Sequence, residues 1–226
     1  MGETVQVASP VDGFRFDTYR AAPTEARRGG LVICHAIWGV TPHLRDLADT
    51  FAAIGYEVLL PSLFDRSRRG FAERDTDPAL QTRQNGMAQA SGWGVAVLDA
   101  VQGAIDALAP PVFAMGFCFG GNVAWLAASR CGGLAAVSAF YGGQIATFLD
   151  DTPKIPTILH LGKTDPLIPP ADVEAIRAAH PDLPVFVYEA GHAFMAPNGF
   201  HEDSARLARL RTLQLFARSG GARGEA

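Results

Sequence analysis

Six short apolar runs, LVICH, YEVLLP, VFAMGF, LAAVSAFYG, IPTILHLG and PVFVYEAG, recur along the chain, with helix-patterned segments between most of them. A strand buried on both faces shows no polar alternation, and strands that return in parallel need a crossover. This rhythm therefore predicts a mostly parallel sheet with helices on both faces. Thr41 and Pro42 open the first helix and Gly55 closes it. Residues 95–108 carry apolar side chains at helical spacing and stop at Pro110 and Pro111; DVEAIRAAH and an amphipathic stretch over residues 202–217 supply further helices. Near the start, TVQVAS and FRFDTYRAA alternate as strands around a turn-like stretch over residues 10–13, which predicts an antiparallel hairpin at one edge. The reading is an α/β fold of about eight strands, one domain over residues 1–218 and a frayed tail over 219–226. Residues 62–86 are polar, Arg-rich and aperiodic, a length at which connections tend to be functional or mobile. They are expected to form a lid, with Arg66, Arg68, Arg69 and Arg74 either solvated or facing an anionic substrate.

In open sheets of this kind ligands bind beyond the carboxyl ends of the strands. Gly116-Phe117-Cys118-Phe119-Gly120-Gly121 falls there, between VFAMGF and the helical NVAWLAAS, and G-x-C-x-G fits a nucleophile elbow. Such a turn strains its central residue and needs glycine two positions to either side, where a side chain would strike the neighbouring strand or helix. The helix N-terminus that follows favours negative charge and so suits a sulfur nucleophile. The same residues also read as a glycine-rich bend around a small buried cysteine. A phosphate loop is disfavoured, because G-x-G-x-x-G and the G-K-[ST] ending are both missing.

A nucleophile needs a base and a group to orient that base. Asp165 lies just past ILHLG and His192 just past VFVYEA, so both belong to the carboxyl edge. Taken singly, a turn-starting aspartate and a solvated loop histidine are the plainer readings, and only jointly, with all three at strand ends, is a triad the better one. The order nucleophile, acid, histidine is that of α/β-hydrolases. The oxygen of a tetrahedral intermediate is expected to meet the amide of Phe119 and an amide of the loop after LVICH, assigned to Ile37. Trp38 in that loop either lines the pocket or packs in the core.

Nineteen basic against 23 acidic residues, a formal net charge of -4, leave no excess to gather phosphate backbones or an anionic membrane. No apolar run approaches the roughly 20 residues that span a bilayer, and the first residues lack the marks of an export signal. Cys34, Cys118 and Cys131 make no disulfide framework and suit a reducing compartment, so a cytoplasmic protein is expected. The remaining histidines, His35, His43, His160, His180 and His201, show no metal-type spacing. The expectation is a small-molecule substrate, no cofactor, no metal, no nucleic acid, no membrane, and a monomer or small homo-oligomer.

AIWGV after the third strand, GFCFGG with cysteine rather than serine, GKTDPLIP around the acid and GHAF at the histidine together resemble the dienelactone hydrolase family over nearly the whole chain. The resemblance implies an α/β-hydrolase fold and a Cys-His-Asp triad that opens a small ester or lactone by way of an acyl-enzyme. Those roles fall on Cys118, His192 and Asp165, with the amides of Ile37 and Phe119 as oxyanion hole and Arg83 as a substrate contact. Two positions depart from the family. Its best-known members carry a glutamate before the isoleucine, against the resting thiol, where this chain has Ala36. Members acting on dienelactone carry an arginine a few residues past the histidine, where this chain has Met195 and Ala196. Dienelactone itself is therefore not assigned as substrate. A thioesterase or general carboxylesterase on the same triad is one alternative, and a hydrolase-fold protein that binds a ligand without catalysis is another. Without a carboxylate at position 36, Cys118 is expected to rest partly as a thiolate paired with His192 and to alkylate fast below the free-thiol pKa of about 8.5.

Overall fold

The computed structural model describes residues 2–71 and 93–221. Its strands are β1 (Glu3–Ala8), β2 (Arg15–Ala21), β3 (Gly29–Cys34), β4 (Tyr56–Pro61), β5 (Val112–Phe117), β6 (Leu134–Phe140), β7 (Thr157–Gly162) and β8 (Val185–Tyr188). They form one sheet in the order β1-β2-β4-β3-β5-β6-β7-β8. The β1–β2 and β2–β4 pairs are antiparallel and all the others parallel. The described α-helices are α1 (Pro42–Ala52), α2 (Asp99–Asp106), α3 (Phe119–Arg130), α4 (Pro170–Ala179) and α5 (Glu202–Phe216). As the unbroken apolar runs require, every residue of β3, β5 and β7 is buried.

The direction of each crossover fixes the faces. β3 passes through α1 to β4, toward the β1 edge, whereas β5 passes through α3 to β6 and β7 through α4 to β8, toward the opposite edge. Right-handed crossovers in opposite directions put α1 on one face and α3 and α4 on the other. The packing agrees: Trp125 of α3 meets His180, just past α4, edge-on at 5.2 Å. On the other face Arg209 of α5 lies 5.4 Å over the ring of Phe51 in α1, and Phe216 stacks on Phe113 at 4.6 Å. The connections therefore diverge between β3 and β5, neighbours whose ends are level, with Cys34 opposite Gly116. A crevice opens beyond the strand ends at such a switch point.

One expectation is corrected. The helix expected over residues 95–108 begins as a wide turn, Gly94–Leu98, in which the Leu98 amide donates to the Trp93 carbonyl; regular α-helix starts only at Asp99. Asp99 is held there because its carboxylate accepts from the amide of Ala100 and pairs with Arg66 at 2.6 Å. Of the tail expected over residues 219–226, Gly221 is buried, and a Cβ there would touch the Phe113 ring at 3.0 Å, while residues 222–226 lie outside the described residues. The lid expected over residues 62–86 lies outside the described residues from residue 72 on; its described start is an anchored turn, with Ser62, Leu63, Phe64 and Asp65 buried. Asp65 accepts from the amides of Asp17 at 2.7 Å and Gly70 at 2.9 Å. Arg66 pairs with Asp12 and Asp99, and Arg69 pairs with Asp17 while its guanidinium lies 5.5 Å over Phe14. These two arginines stitch the turn to the β1–β2 hairpin. Arg68 lies 5.6 Å over the Phe71 ring, whereas Arg74 and Arg83 lie outside the described residues. Among the described residues no helix is long and apolar enough to cross a membrane.

Candidate active site

Cys118 follows the last residue of β5 and precedes the first of α3, with φ 55° and ψ −114°. Left-handed φ at a residue with a side chain is costly, and the surroundings hold it in place. Its amide donates to the Phe140 carbonyl at 3.0 Å, and its own carbonyl accepts from Gly121 at 2.8 Å. The flanking glycines permit the bend. A Cβ on Gly116 would collide with the Gly120 carbonyl, and one on Gly120 with the carbonyl oxygens of Cys34 and His35. The first turn of α3 thus lies directly against the end of β3, and the Cys118 side chain remains partly exposed beyond the crevice.

The acid and the histidine come from two neighbouring loops that are tied together. The amides of Lys163 and Thr164 donate to the carbonyls of Tyr188 at 2.8 Å and Ala190 at 3.1 Å. Gly162 makes this approach possible, since a Cβ there would lie 2.5 Å from the Gly191 oxygen. Asp165, its side chain fully buried, accepts from the amide of Leu167 at 2.9 Å on one oxygen and from His192 Nδ1 at 2.7 Å on the other. The imidazole, one-fifth exposed, also interacts with Cys118. Burial alone would push its pKa down. The hydrogen bonds and negative charges of Asp165 and Cys118 outweigh that cost and raise it from 6.5 to about 10. The imidazolium is the favoured form at neutral pH.

Ile37 and Trp38 sit in the turn after β3, which the amide of Gly39 closes by donating to the Ala36 carbonyl at 3.0 Å. The Ile37 amide donates to no backbone acceptor among the described residues, and the Phe119 amide, first in α3, has no partner in its own helix. Trp38 is partly buried against the core. Among the described residues no group of His, Cys, Asp and Glu could hold a metal ion.

Two contributors escape a reading by motif. Tyr141, buried directly after β6 at φ 39°, lies edge-on to His192 with ring centroids 5.1 Å apart. Burial and the negative charge of Cys118 raise its phenol well above the usual range even though the Met195 amide donates to it, so the hydroxyl keeps its proton. An aromatic residue at a strand end before two glycines was the only signal. The second is His35, fully buried, whose Nε2 accepts from the Leu63 amide at 2.9 Å. Around them Phe64, Phe119, Trp93 and Phe148 pack ring on ring, at centroid distances of 5.1 to 5.5 Å.

Comparison with known proteins finds relatives along nearly the whole chain. A sequence profile of the Dienelactone hydrolase family matches residues 16–220. A "Putative carboxymethylenebutenolidase" of Salmonella typhimurium is 32% identical, over 95% of this chain and 87% of its own length. The carboxymethylenebutenolidase of Pseudomonas putida is 28% identical, over 91% and 92%. Among solved structures, a "Putative Dienelactone Hydrolase" from Klebsiella pneumoniae superposes with a TM-score of 0.73 at 26% identity, covering 96% of this chain and 99% of that one.

Proposed function

The chain belongs to the dienelactone hydrolase family, and from that premise we propose that it cleaves a small carboxylic ester or lactone through an acyl-enzyme on Cys118. The observation that carries the reading is one continuous line of side chains, Asp165 to His192 at 2.7 Å and His192 to Cys118, ending on a strained elbow. Asp165 accepts the Nδ1 proton of His192, which leaves Nε2 toward the sulfur. The thiolate attacks the acyl carbon, and the oxygen takes up negative charge between the amides of Ile37 and Phe119. As the intermediate collapses, the imidazolium gives its Nε2 proton to the departing alkoxide or enolate, leaving a thioester. The neutral ring then takes a proton from water while the hydroxide attacks the thioester, and the thiolate leaves as the acid forms.

Sulfur sets the substrate class. Thiolate leaves more readily than an amine, so an adduct with an amide falls back, whereas esters, lactones and thioesters go forward. Ala36 and Met195 supply no charge at the two positions where other members of the family hold a carboxylate or an arginine, so the substrate need not be the dienelactone anion. Three free cysteines fit a reducing compartment. The test is a panel of aryl esters, lactones and acyl thioesters run with wild type and Cys118→Ala. The variant is expected to lose about four orders of magnitude or more in kcat. Undiminished turnover by Cys118→Ala would overturn the proposal in favour of a different nucleophile.

A further inference from the structure

The departure of the family glutamate leaves open what orders the loop after β3, and His35 answers it. We infer that His35 is a positioning residue of the oxyanion hole, its ring fixing the Ala36–Ile37 peptide so that the Ile37 N–H faces the reacting oxygen. The inference rests on the acyl-enzyme reading above and assigns a task to a residue that reading does not use.

The tautomer follows from the partners. The Leu63 amide can only donate, so Nε2 at 2.9 Å must accept, and the ring proton sits on Nδ1. Nδ1–H then donates to the Ala36 carbonyl at 2.7 Å. That oxygen also accepts from Gly39 at 3.0 Å, so two donors pin it on one side. A trans peptide is planar, with its N–H opposed to its C=O. Holding the Ala36 oxygen therefore aims the Ile37 N–H the other way, and drawing electron density into the carbonyl makes that N–H a better donor. The α3 N-terminus is close by, since a Cβ on Gly120 would lie 2.6 Å from the His35 oxygen, so the Ile37 and Phe119 amides sit on adjoining segments. Phe64 packs edge-on to the His35 ring at 4.9 Å and closes off rotation. Burial lowers the His35 pKa to about 4, so the ring stays neutral and the tautomer holds at neutral pH.

The experiment separates aiming from folding. His35→Asn keeps a donor near the Nδ1 position and loses the partner of Leu63, His35→Gln does the reverse, and His35→Leu loses both. With an aryl ester, His35→Leu and His35→Gln are expected to lower kcat about tenfold or more, with KM within about threefold. His35→Asn is expected to keep most of kcat even where its melting temperature falls. In a cinnamoyl acyl-enzyme, the infrared carbonyl band should lie at higher frequency in His35→Gln than in wild type, as a carbonyl robbed of a donor does. Cys118 should alkylate at the wild-type rate in all variants. The inference fails if His35→Gln and His35→Asn lose kcat equally, or if His35→Gln turns over within about twofold of wild type. If His35→Leu does not fold, the Gln and Asn pair decides alone. An active Cys118→Ala would instead remove the covalent reading, whatever the His35 variants do.

Discussion

In the proposed mechanism Cys118 and His192 form the couple on which the chemistry turns, and their pairing can be tested by alkylation. Asp165 and Cys118 raise the imidazole to about 10, so the ring carries its proton at mildly acidic and neutral pH. Iodoacetamide should therefore alkylate Cys118 at pH 7 faster in wild type than in His192→Ala, because a protonated ring stands beside the sulfur. Equal rates in the two proteins would contradict the pairing. Elbow, acid and histidine were legible in the sequence because each is announced by local grammar: glycines two residues to either side of Cys118, and strand ends before Asp165 and His192. His35 and Tyr141 were not, because their importance depends on which atom of a distant loop they meet. No spacing rule reveals that the Leu63 amide points at an imidazole 28 residues away.

At the level of elements, close approach and one ion pair decide how the loops are held. Gly120→Ala would press a methyl group into the Cys34 and His35 carbonyls, which are backbone and cannot step aside. It is expected to destabilise by about 1–3 kcal/mol in urea unfolding and to lower kcat as the elbow shifts from the β3 loop. Arg66 touches Asp12 of the hairpin turn and Asp99 at the start of α2, whose carboxylate is 1% exposed. Arg66→Ala strands that charge and is expected to cost about 3 kcal/mol, whereas the double change Arg66→Met, Asp99→Leu should recover much of it, since a paired charge is retained only at a desolvation cost. Equal losses in both variants would show that the buried charge is not the cause. The hairpin, the buried parallel strands and most helices followed from period and punctuation. The wide turn at Gly94–Leu98 did not, because a helical pattern of apolar residues carries no record of the ion pair that Asp99 makes with Arg66 where regular helix begins.

Taken as a whole, the molecule should be most stable near pH 6.5, with opposite causes on either side. Burial lowers His35 to about 4 and His160 to about 3, so between these values and 6.5 the unfolded chain binds more protons. Their stabilisation is complete above 6.5 and is lost as pH falls through 4 and 3, at up to about 1.4 kcal/mol per unit for each ring. His192, raised to about 10, contributes fully below 6.5 and is lost as pH rises through 10. Burial likewise raises the thiol of Cys131 from 9 to about 12 and that of Cys34 further, which removes stability in strong alkali. Urea titrations from pH 4 to 10 should trace this dome, and His192→Gln should flatten its alkaline limb above pH 6.5; a limb unchanged in that variant would refute the assignment. The position of the reacting atom, finally, owes little to that atom. Two main-chain hydrogen bonds and the glycines at 116 and 120 set the conformation of residue 118. Oxygen or selenium installed there would inherit the same address, so a lineage built on this scaffold can exchange its reactive element without having to redesign its architecture.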